Sequence, residues 1–202
     1  GVSAGYFKNF GETQRQGFEF SLNSIYENTL GNLNIYSNYS ILSATYQTAH
    51  TLPAANHPMN NNDIEEGDKI PGMPEYTFKA GINQEFSSKF NTGLNLVYTS
   101  GAFLRGDESN QLKKTNPYLV FNADASWQLN KTFSFFGRID NLLNSKYETM
   151  GVLGEASSSE VNVPISELGD TGSGETAVGP LDPRFLSPGA PRAIFIGFRV
   201  NW

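Results

Sequence analysis

With 202 residues the chain has room for one all-β domain, and its net charge of −6 excludes non-specific nucleic-acid binding. It contains no cysteine, which excludes disulfide frameworks, thiolate zinc sites and cysteine nucleophiles. Aromatic residues reach 13% while charged residues stop at 17% and the mean hydropathy is −0.38, so uncharged polar residues must fill much of the chain. No apolar run approaches the length of a spanning helix. Strands remain free to cross a membrane, because their signal is far weaker. Gly1 is not an initiator methionine and no secretory signal opens the chain, as expected of a processed product or a piece of something longer.

Period-two alternation, the mark of a half-buried strand, recurs along the chain in order. Segment 17–26 sets Phe18, Phe20 and Leu22 against Glu19, Ser21 and Asn23. Segment 32–42 sets Leu33, Ile35, Tyr39 and Ile41 against Asn34, Tyr36, Asn38 and Ser40. In segment 75–86, Tyr76, Phe78, Ala80 and Ile82 oppose Thr77, Lys79, Gly81, Asn83 and Glu85. Segment 93–99 places Leu94, Leu96 and Tyr98 against Gly93, Asn95 and Thr99. Segment 119–129 is the cleanest, with Leu119, Phe121, Ala123, Ala125, Trp127 and Leu129 on one phase. Segment 133–140 follows, with Phe133, Phe135 and Ile139 opposite Ser134, Arg138 and Asp140. The last segment, 193–202, carries Ile194, Ile196, Phe198, Val200 and Trp202 against Phe195, Gly197, Arg199 and Asn201.

The charges Glu19, Lys79, Glu85, Asp124, Arg138, Asp140 and Arg199 all fall on the polar phase of their segments. A charge facing lipid near the bilayer midplane costs about 2–4 kcal/mol. A sandwich core excludes charge as well, so the connections must discriminate. They alternate between short (27–31, 87–91, 130–132) and long (45–74, 101–117, 144–192). Outer-membrane barrels keep that parity, with short periplasmic turns and long extracellular loops, whereas a sandwich has no reason to. The expected fold is therefore all-β, an antiparallel transmembrane β-barrel segment of about seven strands. Seven cannot close a bacterial antiparallel barrel, so residues 1–202 are expected to be the C-terminal part of a larger one. Parity then puts Trp202 at the periplasmic rim, where aromatic girdles lie.

Four stretches resemble TonB-dependent outer-membrane receptors of bacteria. Asn9-Phe10-Gly11-Glu12-Thr13-Gln14-Arg15-Gln16-Gly17-Phe18-Glu19 is similar to the stretch that opens one of their strands. Ile70-Pro71-Gly72-Met73-Pro74 resembles the lead into a later strand. Ile139-Asp140-Asn141-Leu142-Leu143-Asn144-Ser145-Lys146-Tyr147 and Pro191-Arg192 before the aromatic last strand resemble their closing pattern. The resemblance implies a 22-stranded barrel around an N-terminal plug. It also implies import of a scarce nutrient, most often a ferric siderophore or other metal chelate, energised by the TonB complex. Cobalamin, haem and oligosaccharides are the other substrates it implies. The plug and the TonB box are not in this sequence. The implied partners are the rest of the barrel and its plug, the TonB complex, the lipid bilayer and the barrel-assembly machinery. That machinery would read Phe198, Val200 and Trp202.

Basic residues in the loops and on the polar phase are the candidates for an anionic chelate: Arg105, Arg138 and Arg184. Arg192 is a further loop cation, while the excess of Asp and Glu in the large loops opposes binding of an anion. Arg138 and Asp140 read equally well as a structural pair, with Asp124 on the neighbouring strand. Asp63, Glu65, Glu66 and Asp68 lack the ligand order of a calcium loop and read as a solvated acidic stretch. His50 and His57 read as ordinary loop histidines. No catalytic group, resident metal or cofactor is expected. A barrel hydrolase is the rival from another class, but neither histidine has a serine or paired-acid partner near it in sequence. A soluble β-sandwich binding module is the other rival.

Overall fold

All seven alternating segments become strands of one antiparallel sheet in the computed structural model, which describes residues 11–52, 62–154 and 183–201. They are β1 (Thr13–Asn28), β2 (Gly31–Tyr46), β5 (Tyr76–Ser87), β6 (Phe90–Thr99), β7 (Tyr118–Gln128), β8 (Phe133–Asp140) and β11 (Ala193–Val200). The sheet order β1-β2-β5-β6-β7-β8-β11 follows the chain, as in an up-and-down barrel wall. Its edges, β1 and β11, do not pair with each other, so the wall is open in this chain. No helix among the described residues is long and apolar enough to cross a membrane.

The register sorts the side chains into two faces. One row runs Ile35, Ile82, Leu94, Ala123, Ile139 and Ile194, each directly opposite the next. The adjacent row on the other face runs Asn34, Asn83, Gly93, Asp124 and Arg138. A one-residue slip anywhere would exchange the faces, so the register itself keeps charge off the apolar side. That apolar side is uncovered from the edge strand, where Ile194 and Phe198 are 63% and 68% exposed, to the middle of the sheet, where Ile82 and Leu94 are 45% and 40% exposed. Exposure of this extent along a whole sheet face marks a surface that another phase must cover.

Aromatic bands bound the apolar face. Tyr39 and Phe78 meet edge to face at 6.4 Å toward the long-loop end, and Tyr98 lies next to Phe78 in the same row. Phe90, Trp127, Phe135 and Phe198 form the opposite row, with Trp127 and Phe135 at 6.4 Å. Phe90 and Tyr98 stand eight residues apart on β6, about 27 Å of strand. At a barrel tilt of about 40° that is roughly 20 Å of height, close to the apolar band of a transmembrane barrel.

The short turns are built from local side-chain caps. Asn28 Oδ1 accepts from Leu30 N at 2.8 Å, and Gly31 supplies φ 120° to close the β1–β2 turn. Asn130 Oδ1 accepts from both Thr132 N and Phe133 N, at 2.8 and 2.9 Å, between β7 and β8.

The long connections carry strands of their own. Two two-stranded sheets lie within them, β3 (His50–Thr51) with β4 (Asp63–Ile64), and β9 (Glu148–Leu153) with β10 (Arg184–Pro188). Strands of two residues are too short to show a period, and β9–β10 is interrupted by Gly151 and Pro188. β1 and β2 also reach 16 residues each, well past the predicted segments.

Candidate functional site

Buried apolar packing in this chain lies in the loops. Leu104, Leu112 and Leu153, 1%, 4% and 7% exposed, cluster at the long-loop end, where two different connections meet. Around them three connections bond to one another. Arg105 makes one isolated parallel bridge to β9: its N donates to Gly151 O at 3.0 Å, and Leu153 N donates back to Arg105 O at 2.7 Å. Gly72 N, in the first long loop, donates to Phe103 O at 2.9 Å. The φ of 74° at Gly72 suits glycine, and a Cβ there would lie 3.4 Å from Arg105 Nε.

Asparagine and aspartate side chains complete the layer. Asn62, 3% exposed, donates to Gly106 O and Glu108 Oε2 and accepts from Ser109 N at 3.0 Å. Asp107 is fully buried, and its carboxylate accepts from Gln111 N at 2.9 Å and Leu112 N at 3.1 Å. That arrangement satisfies a buried charge with backbone donors. Asp68 Oδ2 accepts from Glu65 N at 2.8 Å and closes the acidic turn locally. Burial pushes the Asp68 carboxyl above its usual range, and the Glu65 N–H offsets part of this.

The three arginines chosen from sequence do not share one place. Arg105 and Arg184 flank β9, one bridged to Val152 and the other paired with Leu153. Arg138 belongs instead to the polar face of the large sheet, opposite Asp124 on β7 and Phe195 on β11. Its Nε donates to Asp140 Oδ1 at 2.6 Å. Arg192 donates from its backbone N to Asn144 Oδ1 at 3.1 Å, which ties the start of β11 to the 141–147 turn. His50 pairs with Ile64 through β3–β4, while His57 and Trp202 lie outside the described residues.

Two of the motifs prove structural. Asn141, 2% exposed with φ 49°, donates to Ser145 O and Ala190 O and accepts from Ser145 N. It clasps the exit of β8 to the approach of β11. Gly17 passes so close to β2 that a Cβ would lie 2.5 Å from Ile41 O. Sequence reasoning missed Asn62, Asp107 and Asn110; the last two sit in turn-forming sequence beside Gly106, and Asn62 carries no local signal.

The family model for the TonB dependent receptor-like β-barrel matches residues 1–142. The chain belongs to that family. It is a family of outer-membrane receptors rather than enzymes, so the bare apolar face meets lipid and the long connections are extracellular. No curated protein matches the chain. Among solved structures, the siderophore receptor PiuA from Acinetobacter baumannii superposes with a TM-score of 0.63 at 15% identity, over 94% of this chain and 22% of that one. The ferric yersiniabactin uptake receptor FyuA from Yersinia pestis gives 0.49 at 13% identity, over 93% and 30%. The chain thus spans 22% of the length of PiuA, and the likeness concerns the fold.

Proposed function

We propose that the chain is the C-terminal part of a receptor barrel that takes up a scarce nutrient, a ferric siderophore or another metal chelate, with energy from the TonB complex. The carrying observation is the loop layer. The described parts of three long extracellular connections are bonded together around Leu104, Leu112 and Leu153, which gives a fixed surface at the long-loop end of the sheet. Pre-organised loops lower the entropy lost on capturing a dilute ligand. In this reading Arg105 and Arg184 act in that layer, and Arg138 lines the lumen beneath it. The plug would fill the lumen, and the TonB contact would come from the part of the receptor that precedes this sequence. Phe198, Val200 and Trp202 present the strand end to the assembly machinery.

The test is uptake of radio-iron by iron-starved cells that carry or lack the full-length receptor, with and without a working TonB complex. Loss of uptake of one ferric chelate in both deletions supports the reading. Unchanged uptake across a panel of ferric chelates, with loss of cobalamin, haem or oligosaccharide uptake instead, replaces the substrate class.

A further inference from the structure

One strip of the lipid-facing wall is hollow. Ser37, Ala80, Leu96 and Phe121 form a row across β2, β5, β6 and β7, each directly opposite the next. The first two are small, and the residues around them are not. With Ile35 and Ile82 one row further from the loops, they enclose an apolar groove of about 220 Å³. Behind it the Tyr36 ring lies over Gly81 and closes the wall toward the lumen. The groove begins one row inside the aromatic band of Tyr39, Phe78 and Tyr98. That is about 5 Å of height at a barrel tilt of about 40°.

On the loop side of the band the same face turns polar. Gln16 stands opposite Ser43 and Gln14 opposite Thr45. Lys69, bridged to Thr45, donates from Nζ to Ser43 Oγ at 3.3 Å. From Thr45 to Ile35 this face of β2 therefore passes from hydrogen-bonding groups, through Ile41 and Tyr39, to the hollow. Headgroup, interface and chain follow in that order along an amphiphile standing in the outer leaflet. We propose that the groove holds one acyl chain of an outer-leaflet lipid, with its headgroup against the polar stretch of β2. The groove is continuous with the face that meets lipid, and its concavity gives a chain close contacts on more sides than the rows beside it do. A lipid held there binds only the folded wall, so it stabilises the β2–β5 pairing by linkage. The inference concerns the outer wall and is independent of the nutrient transported.

Photolabelling of the full-length receptor tests the groove. The receptor is placed in vesicles of phosphatidylethanolamine and phosphatidylglycerol, with a small share of phosphatidylethanolamine carrying a diazirine near the carbonyl end of one chain. After illumination the labelled residues are mapped by mass spectrometry. Labelling is expected to concentrate on Ser37, Ala80, Ile82 and Leu94, and to exceed that of Ile139 and Ile194, which share the row of Ile82 outside the groove. Ala80→Leu and Ser37→Leu each fill the groove and keep that face apolar, so a second variant remains if one fails to fold. Each is expected to lower labelling of Ile82 and Leu94 about fivefold, as loss of about ten close atom pairs does. Even labelling along the row in wild type, or an unchanged pattern in both variants, overturns the proposal. A receptor dimer in sedimentation that either variant dissociates gives the groove to a second copy and overturns the lipid.

Discussion

Asn110 gives both ends of its side-chain amide to the backbone of Lys69. Its Oδ1 accepts from Lys69 N at 2.6 Å, and its Nδ2 donates to Lys69 O at 2.9 Å. The amide thereby imitates a neighbouring strand, and it joins two extracellular loops whose partners are 41 residues apart in sequence. The φ of 56° at Asn110 places it in the left-handed region, which asparagine tolerates better than most residues.

Asn110→Ala should therefore lose two backbone partners and gain backbone strain, loosening the contact by about 1–3 kcal/mol. Asn110→Gly keeps the backbone conformation and loses the partners, so it separates the two causes. Hydrogen exchange at residues 62–72 and 101–117 is the measurement. Both variants should raise exchange there and leave the sheet unchanged, with the alanine variant raising it more.

The apolar face sets a second expectation. Ile82 and Leu94 are opposite one another in the middle of the lipid-facing row. Leu94→Arg should cost about 2–4 kcal/mol in a folded receptor, whereas Asn95→Arg, one residue away on the lumen face, should cost far less. The folded fraction, read from heat-modified mobility on a gel, should fall for the first and hold for the second.

Aromatic rings cover glycines on the lumen face. A Cβ on Gly81 would lie 2.5 Å from Cζ of Tyr36, its direct partner on β2, and one on Gly197 would lie 2.3 Å from Cζ of Phe136. Rings laid over glycine help fix register between twisted strands. Gly81→Val should displace the Tyr36 ring and lower assembly yield, and Tyr36→Ala should weaken the pair by about 1 kcal/mol or less. Unchanged yield and melting temperature in both variants would remove this role.

Asp68 gives a pH dependence of unusual sign. Its carboxyl is raised in the folded loop by burial, and the neighbouring carboxylates of Glu65 and Asp107 push the same way. A raised folded value means that the folded loop holds the proton more readily than the unfolded chain does. The stabilising contribution is complete below the ordinary carboxylate range and is lost as pH rises through the raised value. Protection at residues 62–72, after division by the intrinsic pH-dependent exchange rate, should thus be higher at mildly acidic pH than at neutral pH. Asp68→Asn should flatten that difference.

The wall of the barrel could be read from the sequence because a single rule, period two, governs each of its strands. Phe121, Ala123 and Ala125 announce their face without reference to any other segment. The loop layer obeys no such rule. Asn62, Asp107 and Asn110 act through backbone partners in other loops or in a tight turn, and Leu104 meets Leu153 across a long stretch of chain. Nothing local distinguishes those asparagines from ordinary turn residues. The arginines show both outcomes: Arg105 and Arg184 converge on β9, whereas Arg138 is committed to Asp140.

The 16 residues of β1 and of β2 exceed what the bilayer needs. A transmembrane strand requires about 9–11 residues, so the surplus raises the start of the first long connection roughly 15 Å at a barrel tilt of about 40°. That height is about two Debye lengths at physiological ionic strength. The headgroup charges of the membrane are therefore screened from the rim, and an arriving ion meets a field set by the loops' own side chains.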